Sequence, residues 1–266
     1  MTLRRTETKP ALSPQTPGIN GLFSALPLSV PNDLHTEREG KKPKSACGFT
    51  ENLPVYELNI AEPTCRADLL KYWINLSLDD RTANKLLWIT EGGARVCRMA
   101  NEVCPYLDRP ERYEFYPQVL CKECVWASRG YWEVDYTGWV VVGAAHEGAG
   151  RRGGDGPCGL GENEESWGLG WGGSCYQAWH NGASLDVQGV PRSSTIGVYL
   201  DQPAGVINFY AVESVEEEEE SRGRKEVKLL HSFRKPINDK ILPGFWVGMQ
   251  SSCVIVKRAE SAELSH

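Results

Sequence analysis

The sequence predicts an all-β protein, a sandwich of two antiparallel sheets, and three observations carry that prediction. Short β-prone runs succeed one another, each closed by Gly, Pro, Asp or Asn: "INLSLDD", "LLWIT", "ARVCRM", "GYWEVDY", "WVVVGAA", "SWGLGW", "TIGVYLD", "GVINFYAV", "VKLLHSF" and "SCVIVK". Within them the alternation has the two-residue period of a strand. Trp132, Val134 and Tyr136 share one face while Tyr131, Glu133 and Asp135 share the other, and Ile196, Val198 and Leu200 line up in the same way. Finally, Gln202-Pro203-Ala204-Gly205 separates two such runs with a fixed φ and a permissive one, the chemistry of a hairpin turn.

Taken in order, residues 1–60 read as a disordered leader, because half of the 16 prolines fall by Pro63 in a Ser-, Thr-, Lys- and Glu-rich stretch without a period. A short helix follows, with Thr64 as candidate N-cap and Leu69, Leu70 and Trp73 spaced to bury one face. The strands occupy the remainder, giving one domain over 61–259 and a tail over 260–266. Glu216 to Glu220 are five consecutive acids, read as a solvated loop between strands because like charges repel and resist burial.

Composition narrows the function. A chain of 266 residues with 41% hydrophobic content supports one medium domain with a full core. The net charge of −6 repels a phosphate backbone, so nucleic acid is disfavoured as a partner. No apolar run approaches the roughly 20 residues that span a bilayer. "GLFSALPLSV" at Gly21–Val30 is short, contains Pro27 and lacks a cleavage pattern, so no secretory signal is expected. The nine cysteines are odd in number and irregular in spacing, which reads as reduced thiols in a cytoplasmic protein.

Motifs with chemical meaning fail on context. Gly148, Gly150 and Gly153 satisfy G-x-G-x-x-G, but a dinucleotide fold needs a helix to open behind them and the chain continues "GDGPCGLG". The segment therefore reads as a flexible connection between strands. Cys121 and Cys124 form one C-x-x-C without the second pair a structural zinc requires, so no metal is expected. Ser174, Cys175 and His180 lack a G-x-S-x-G frame. No RING-type or B-box array of cysteines and histidines occurs, so no ligase chemistry, catalytic residue or cofactor is expected. Asn75-Leu76-Ser77 matches a glycosylation sequon in a predicted strand and is read as accidental.

Three landmarks stand in order: "LSLDDRTANKLL" (Leu76–Leu87), "YWEVDY" (Tyr131–Tyr136) and "LDQPAGVINFY" (Leu200–Tyr210). Together they resemble the PRY/SPRY domain. The stretches "RPERYEFYPQVLCKE" and "LLHSFRKPINDKILPGFWV" resemble the form carried at the C-terminus of fish tripartite-motif proteins and of stonustoxin. The family's LDP motif is Leu78-Asp79-Asp80 here and its LDYE-type tetrad is Leu200-Asp201-Gln202-Pro203, departures at structural positions. The resemblance implies a bent sandwich of concanavalin-like jelly-roll type, PRY over about 61–115 and SPRY over about 116–259. It also implies a non-enzymatic module that binds a protein or peptide through variable loops at one end, in innate-immune or ubiquitin-linked regulation. A secreted, toxin-like recognition protein is the alternative.

Trp132, Trp167, Phe209, Trp246 and Tyr131 are assigned to the core. Candidate partner contacts are Tyr176, Trp179 and His180 in "GGSCYQAWHNG", where the family places aromatic contacts. Arg151, Arg152 and Asp155 in the glycine-rich segment and Glu91 and Arg95 in "TEGGAR" are candidates for a polar rim.

Overall fold

The computed structural model describes residues 56–57, 60–100, 102–214 and 224–259. Nearly all of the leader, the Glu216–Glu220 run and the 260–266 tail lie outside the described residues. Thirteen strands are present: β1 (Trp88–Thr90), β2 (Arg95–Arg98), β3 (Gln118–Leu120), β4 (Arg129–Thr137), β5 (Val140–His146), β6 (Ser166–Trp171), β7 (Tyr176–His180), β8 (Ala183–Val187), β9 (Thr195–Asp201), β10 (Val206–Ser214), β11 (Lys225–Arg234), β12 (Ile241–Val247) and β13 (Ser251–Ile255). They form a seven-stranded sheet in the order β1-β2-β13-β4-β9-β10-β11 and a six-stranded sheet in the order β3-β12-β5-β6-β7-β8.

The inner faces meet as the alternation requires. Trp132 and Val134 of β4, Ile196, Val198 and Leu200 of β9 and Phe209 of β10 share one core with Val140 and Val142 of β5, Trp167 and Leu169 of β6 and Phe245 of β12. The predicted hairpin is present, with Asp201 paired to Val206 and Gly205 at φ +66° in the turn. Trp246 is buried too, but on the outer side of β12, since its neighbours Phe245 and Val247 face the core.

The outer face of the seven-stranded sheet is where the alternation misleads. Glu133, on the face opposite Trp132 and Val134, is 0% exposed. A helix, α1 (Arg66–Leu69), and a 3-10 turn over Leu70–Tyr72 lie against that face, and Leu69 packs with Tyr131, Tyr199 and Tyr210 in a second apolar cluster. Arg66 answers the buried carboxylate: its Nε and Nη2 donate to the two oxygens of Glu133 at 2.7 and 3.0 Å, and Tyr131 Oη donates to Oε1 at 2.8 Å. The helix is shorter than expected and its N-cap is Cys65, not Thr64, without a side-chain cap bond. One turn of helix has little stability of its own, so burial of Leu69 holds it.

Other differences have local causes. "INLSLDD" is not a strand, because its amides go to different sheets: Leu78 N donates to Gly93 O between β1 and β2, whereas Asp79 N donates to Leu120 O of β3. Strands β3, β7, β8 and β12 were not among the predicted runs. Pro243 sits inside β12, but its carbonyl accepts from Cys121 N just beyond the end of β3, so its missing N–H falls where that ladder has finished. The C-x-x-C thiols are also not equivalent: Cys121 is free and buried, with its pKa pushed up by burial, whereas Cys124 is disulfide-bonded, against the expectation of reduced cysteines throughout.

Removing one partner of a buried ion pair leaves the other charge uncompensated. Arg66→Ala is therefore expected to lower unfolding free energy by about 3–5 kcal/mol in urea titrations. Adding Glu133→Gln should restore part of that loss, and no recovery in the double variant would mean that Arg66 acts through packing alone.

Candidate functional site

The β5–β6 connection, expected to be flexible, is an ordered cover on the outer face of the six-stranded sheet. Gly244, Gly143 and Gly168 are mutually in register across β12, β5 and β6, and their lack of side chains lowers the sheet surface along that row. Leu160 lies over Gly168, and Gly161, at φ +88°, lies so close to Trp179 that any Cβ there would overlap it. The connection is pinned by its own polar groups: Leu160 N donates to Gln118 Oε1 at 2.9 Å and Gly161 N to Ser166 Oγ at 2.9 Å.

The G-x-G-x-x-G amides are occupied from within the chain. Arg151 N and Arg152 N both donate to Asp155 Oδ2 at 2.9 Å, and Gly153 N donates to Glu114 Oε2 at 2.9 Å. Only a three-residue 3-10 turn, Gly153–Asp155, follows. Carboxylates of the protein thus fill the place a pyrophosphate would take, and no helix dipole stands behind it.

Arg151 and Arg152, the latter held by Asp155, meet a second loop, residues 102–117, that sequence reasoning passed over. Arg152 Nη1 donates to Asp108 Oδ1 at 2.9 Å and its Nε lies 3.6 Å from Glu114 Oε2. Hydrogen bonding to Arg152 holds the Asp108 carboxyl below its ordinary pKa, and Asp108 in turn raises that of the guanidinium. Arg112 fixes the loop from beneath, donating to the carbonyls of Leu107 and Asp80 at 2.9 and 2.7 Å and to that of Ala83, and lying over the Tyr106 ring. On this frame Leu107 and Phe115 are 74% and 56% exposed, and Phe115 abuts Gly153. Two large apolar groups held outward inside a charged, hydrogen-bonded rim have the make-up of a protein contact patch. The available sequence signal is "YLDRPERYEF", aromatic and apolar residues set among charges without a strand or helix period.

The other candidates are elsewhere. Tyr176, Trp179 and His180 are not on a loop: they form β7, bounded by Gly173 at φ +99° and Gly182 at φ +72°, so the glycines end a strand tightly and do not loosen a connection. Tyr176 is in the main core and its Oη accepts from Ser193 N at 2.8 Å. Trp179 is beneath Gly161 on the outer face. His180 stacks on Trp167, rings 5.1 Å apart and 3° from parallel, with Nδ1 2.9 Å from Ser166 O. Burial pushes its pKa down. Glu91 and Arg95 pair with each other at 3.4 Å on the β1–β2 connection, at the edge of the other sheet. Thus the structure brings together three of the eight residues, adds Leu107, Asp108, Glu114 and Phe115, and buries three in or under the sheet.

Hydrolytic chemistry has no assembled constellation in "GGSCYQAWHNG". Cys175 is buried at the start of β7, and His180 ends that strand with a ring nitrogen committed to a carbonyl. Among the described residues, no group of three or more His, Cys, Asp or Glu is placed to hold a metal ion. Among the same residues, no helix is long and apolar enough to cross a membrane.

Two family models match the chain, the SPRY-associated domain, PRY, over residues 76–125 and the SPRY domain over 129–258. Tripartite motif-containing protein 16 of Mus musculus is 27% identical over 78% of this chain and 36% of its own length. Stonustoxin subunit beta of Synanceia horrida is 33% identical over 69% of this chain and 25% of its own. The chain thus spans between a quarter and about a third of these relatives. Among solved structures, that of stonustoxin superposes with TM-score 0.63 at 30% identity, covering 72% of this chain and 28% of that one. The PSpry domain of TRIM65 superposes with TM-score 0.61 at 24% identity, covering 75% of this chain and all of that domain, a likeness of fold.

The inward placement of β7 has measurable consequences. Trp179→Ala should cost roughly 3–5 kcal/mol of stability, as for a buried indole. His180 is held neutral by burial against Trp167, with Lys235, Glu164 and His146 as its charged or titratable neighbours. A lowered native pKa makes the unfolded state bind more protons, so this contribution is complete above about pH 6.5 and fades as pH falls through the native value. Thermal melts from pH 7.5 to 5 should show a smaller acid loss in His180→Gln than in the unsubstituted protein; equal slopes would place the titration elsewhere.

Proposed function

The chain belongs to the PRY/SPRY family, whose domains are generally non-catalytic recognition modules, and from that premise we propose that it binds a protein or peptide partner through the joined 102–117 and 148–158 loops. The observation that carries this reading is the exposure of Leu107 and Phe115 on loops clamped by Arg112, Arg152 and Asp155. A patch already rigid before contact loses little entropy on binding, and apolar anchors within a charged rim follow the usual anatomy of an interface. Arg151, Arg152 and Asp155 keep the rim role the sequence suggests, joined by Asp108 and Glu114. Glu91 and Arg95 are a separate exposed pair and take no part in this patch. A role in innate-immune or ubiquitin-linked regulation in the cytoplasm accords with the tripartite-motif relatives and is part of this proposal.

A second reading has its own support in the stonustoxin likeness, namely a secreted recognition protein. Asn75 bears on it. Its side chain accepts from Trp73 Nε1 at 2.9 Å and from Arg258 N at 3.1 Å, and donates to Arg258 O at 3.1 Å, so a glycan on Nδ2 would break a local network. Native protein in culture medium carrying a glycan at Asn75 would establish the secreted alternative over the cytoplasmic one.

Affinity capture with the whole chain tests the loop assignment. Leu107→Asp combined with Phe115→Ser should lose the captured partner, an effect of at least about tenfold in affinity, while the melting temperature stays within a few degrees. Glu91→Lys should keep it. Retention by the loop variant, or loss by Glu91→Lys alone, would move the contact surface off these loops.

A further inference from the structure

A second surface stands out at the end of the sandwich where β2 finishes and β13 begins. The guanidinium groups of Arg66, Arg81, Arg129, Arg152 and Arg234 each face a carboxylate. Arg98, the last residue of β2, has none among the described residues. It shares the inward side of that strand with Val96, pairs across the sheet with Ser251, and its buried Nε meets no acceptor. Burial lowers its pKa without an opposing carboxylate to offset the shift. A half-buried cation without an acceptor is costly, so the molecule gains when an anion arrives.

The surroundings define what kind of anion. Ser251 Oγ accepts from Trp139 N at 2.8 Å, and the indole Nε1 of Trp139 is a second buried donor without a partner. Arg98 thus pairs across the sheet with Ser251, and the backbone N–H of Trp139 binds the hydroxyl of that same residue. Arg192 adds a further cation at the same turn, donating to Gly138 O at 2.8 Å. Beside this polar centre Met99 and Met249 are 54% and 56% exposed, one residue beyond Arg98 and two before Ser251. Unbranched thioethers at a surface suit contact with varied apolar side chains.

We propose that this end of the sandwich is a second contact surface, taking an acidic, apolar segment of a partner protein whose carboxylate accepts from Arg98 and whose neighbouring side chains cover Met99 and Met249. Charge complementarity selects the occupant: Arg98 and Arg192 bring positive charge, no carboxylate among the described residues pairs with Arg98, and Met99 and Met249 are exposed beside it. The surface shares with the loop reading only the premise that the partner is a protein, and involves none of Leu107, Phe115, Arg112, Arg152 and Asp155, which carry that reading.

The test uses the whole chain and a short fluorescein-labelled peptide of Glu, Leu and Phe, against the same peptide with Gln for every Glu, read by anisotropy. The acidic peptide should bind about tenfold or more tightly than its neutral counterpart. Arg98→Met should erase that preference while leaving the melting temperature equal or higher, since a charge lacking a partner has been removed. Leu107→Asp should leave peptide binding unchanged, which separates failure here from failure of the loop reading. Equal binding of the two peptides, or a preference that survives Arg98→Met, would overturn the proposal. Should Arg98→Met not fold, NMR of the unsubstituted protein decides: a saturable shift of the Arg98 Nε–Hε resonance with the acidic peptide alone supports the site, and its absence rejects it.

Discussion

A sheet covered on both faces has to shelter whatever polar groups its strands carry, and in this protein that requirement falls on Glu133. The carboxylate lies beneath the 60–73 segment, where water cannot reach it, so Arg66 and Tyr131 supply the donors that water would have given. Much of the N-terminal part of the domain follows from that arrangement. The one-turn helix is placed where Arg66 can reach inward while Leu69 packs on the three tyrosines of the sheet. Glu62 accepts from both Asn208 and Arg234, so charged groups tie the covering segment to β4, β10 and β11, and the Tyr199 ring ties it to β9 through apolar contact.

The six-stranded sheet meets the same requirement by different means. Its outer side presents glycines in register, and backbone of the β5–β6 connection descends onto them. Close approach of loop to sheet leaves few polar groups to compensate, and those are met by Gln118 and Ser166. The consequence for function is mechanical. A connection fastened along its length offers the 102–117 loop a fixed neighbour, and through Arg152, Asp108 and Glu114 the two become one surface. Leu107 and Phe115 then stay outward because the groups beneath them are already committed. Such a patch suits binding without chemistry: the titratable groups around it are engaged in holding the loops, and the buried histidine at His180 is stacked against Trp167.

Fold class, the inner core and the β9–β10 hairpin were legible because they depend on short-range regularities: a period of two, and turn residues with restricted φ. Trp132, Val134, Ile196, Val198, Leu200 and Phe209 stand where that period puts them. The ordered motifs likewise identified the family. The alternation says which residues share a face but not what covers that face, so the pattern around Glu133 carries no sign of its burial. Glycines posed a similar ambiguity. Between Gly148 and Gly161 they seat a loop on a sheet, and on either side of β7 they end a strand, although in sequence both stretches look like flexible connection. Tyr176, Trp179 and His180 were placed on a loop for that reason.

The sequence by itself determined that this chain forms an antiparallel sandwich with a hairpin at Gln202–Gly205 and that its glycine motif lacks the helix a nucleotide needs, since both depend on neighbours a few residues apart. Only the tertiary structure decided that Asp155 and Glu114 occupy those amides, that Arg152 joins two loops into a surface, and that Arg98 has no counter-charge among the described residues. Each of these depends on which distant group arrives beside a charge, and a one-dimensional pattern carries no record of that.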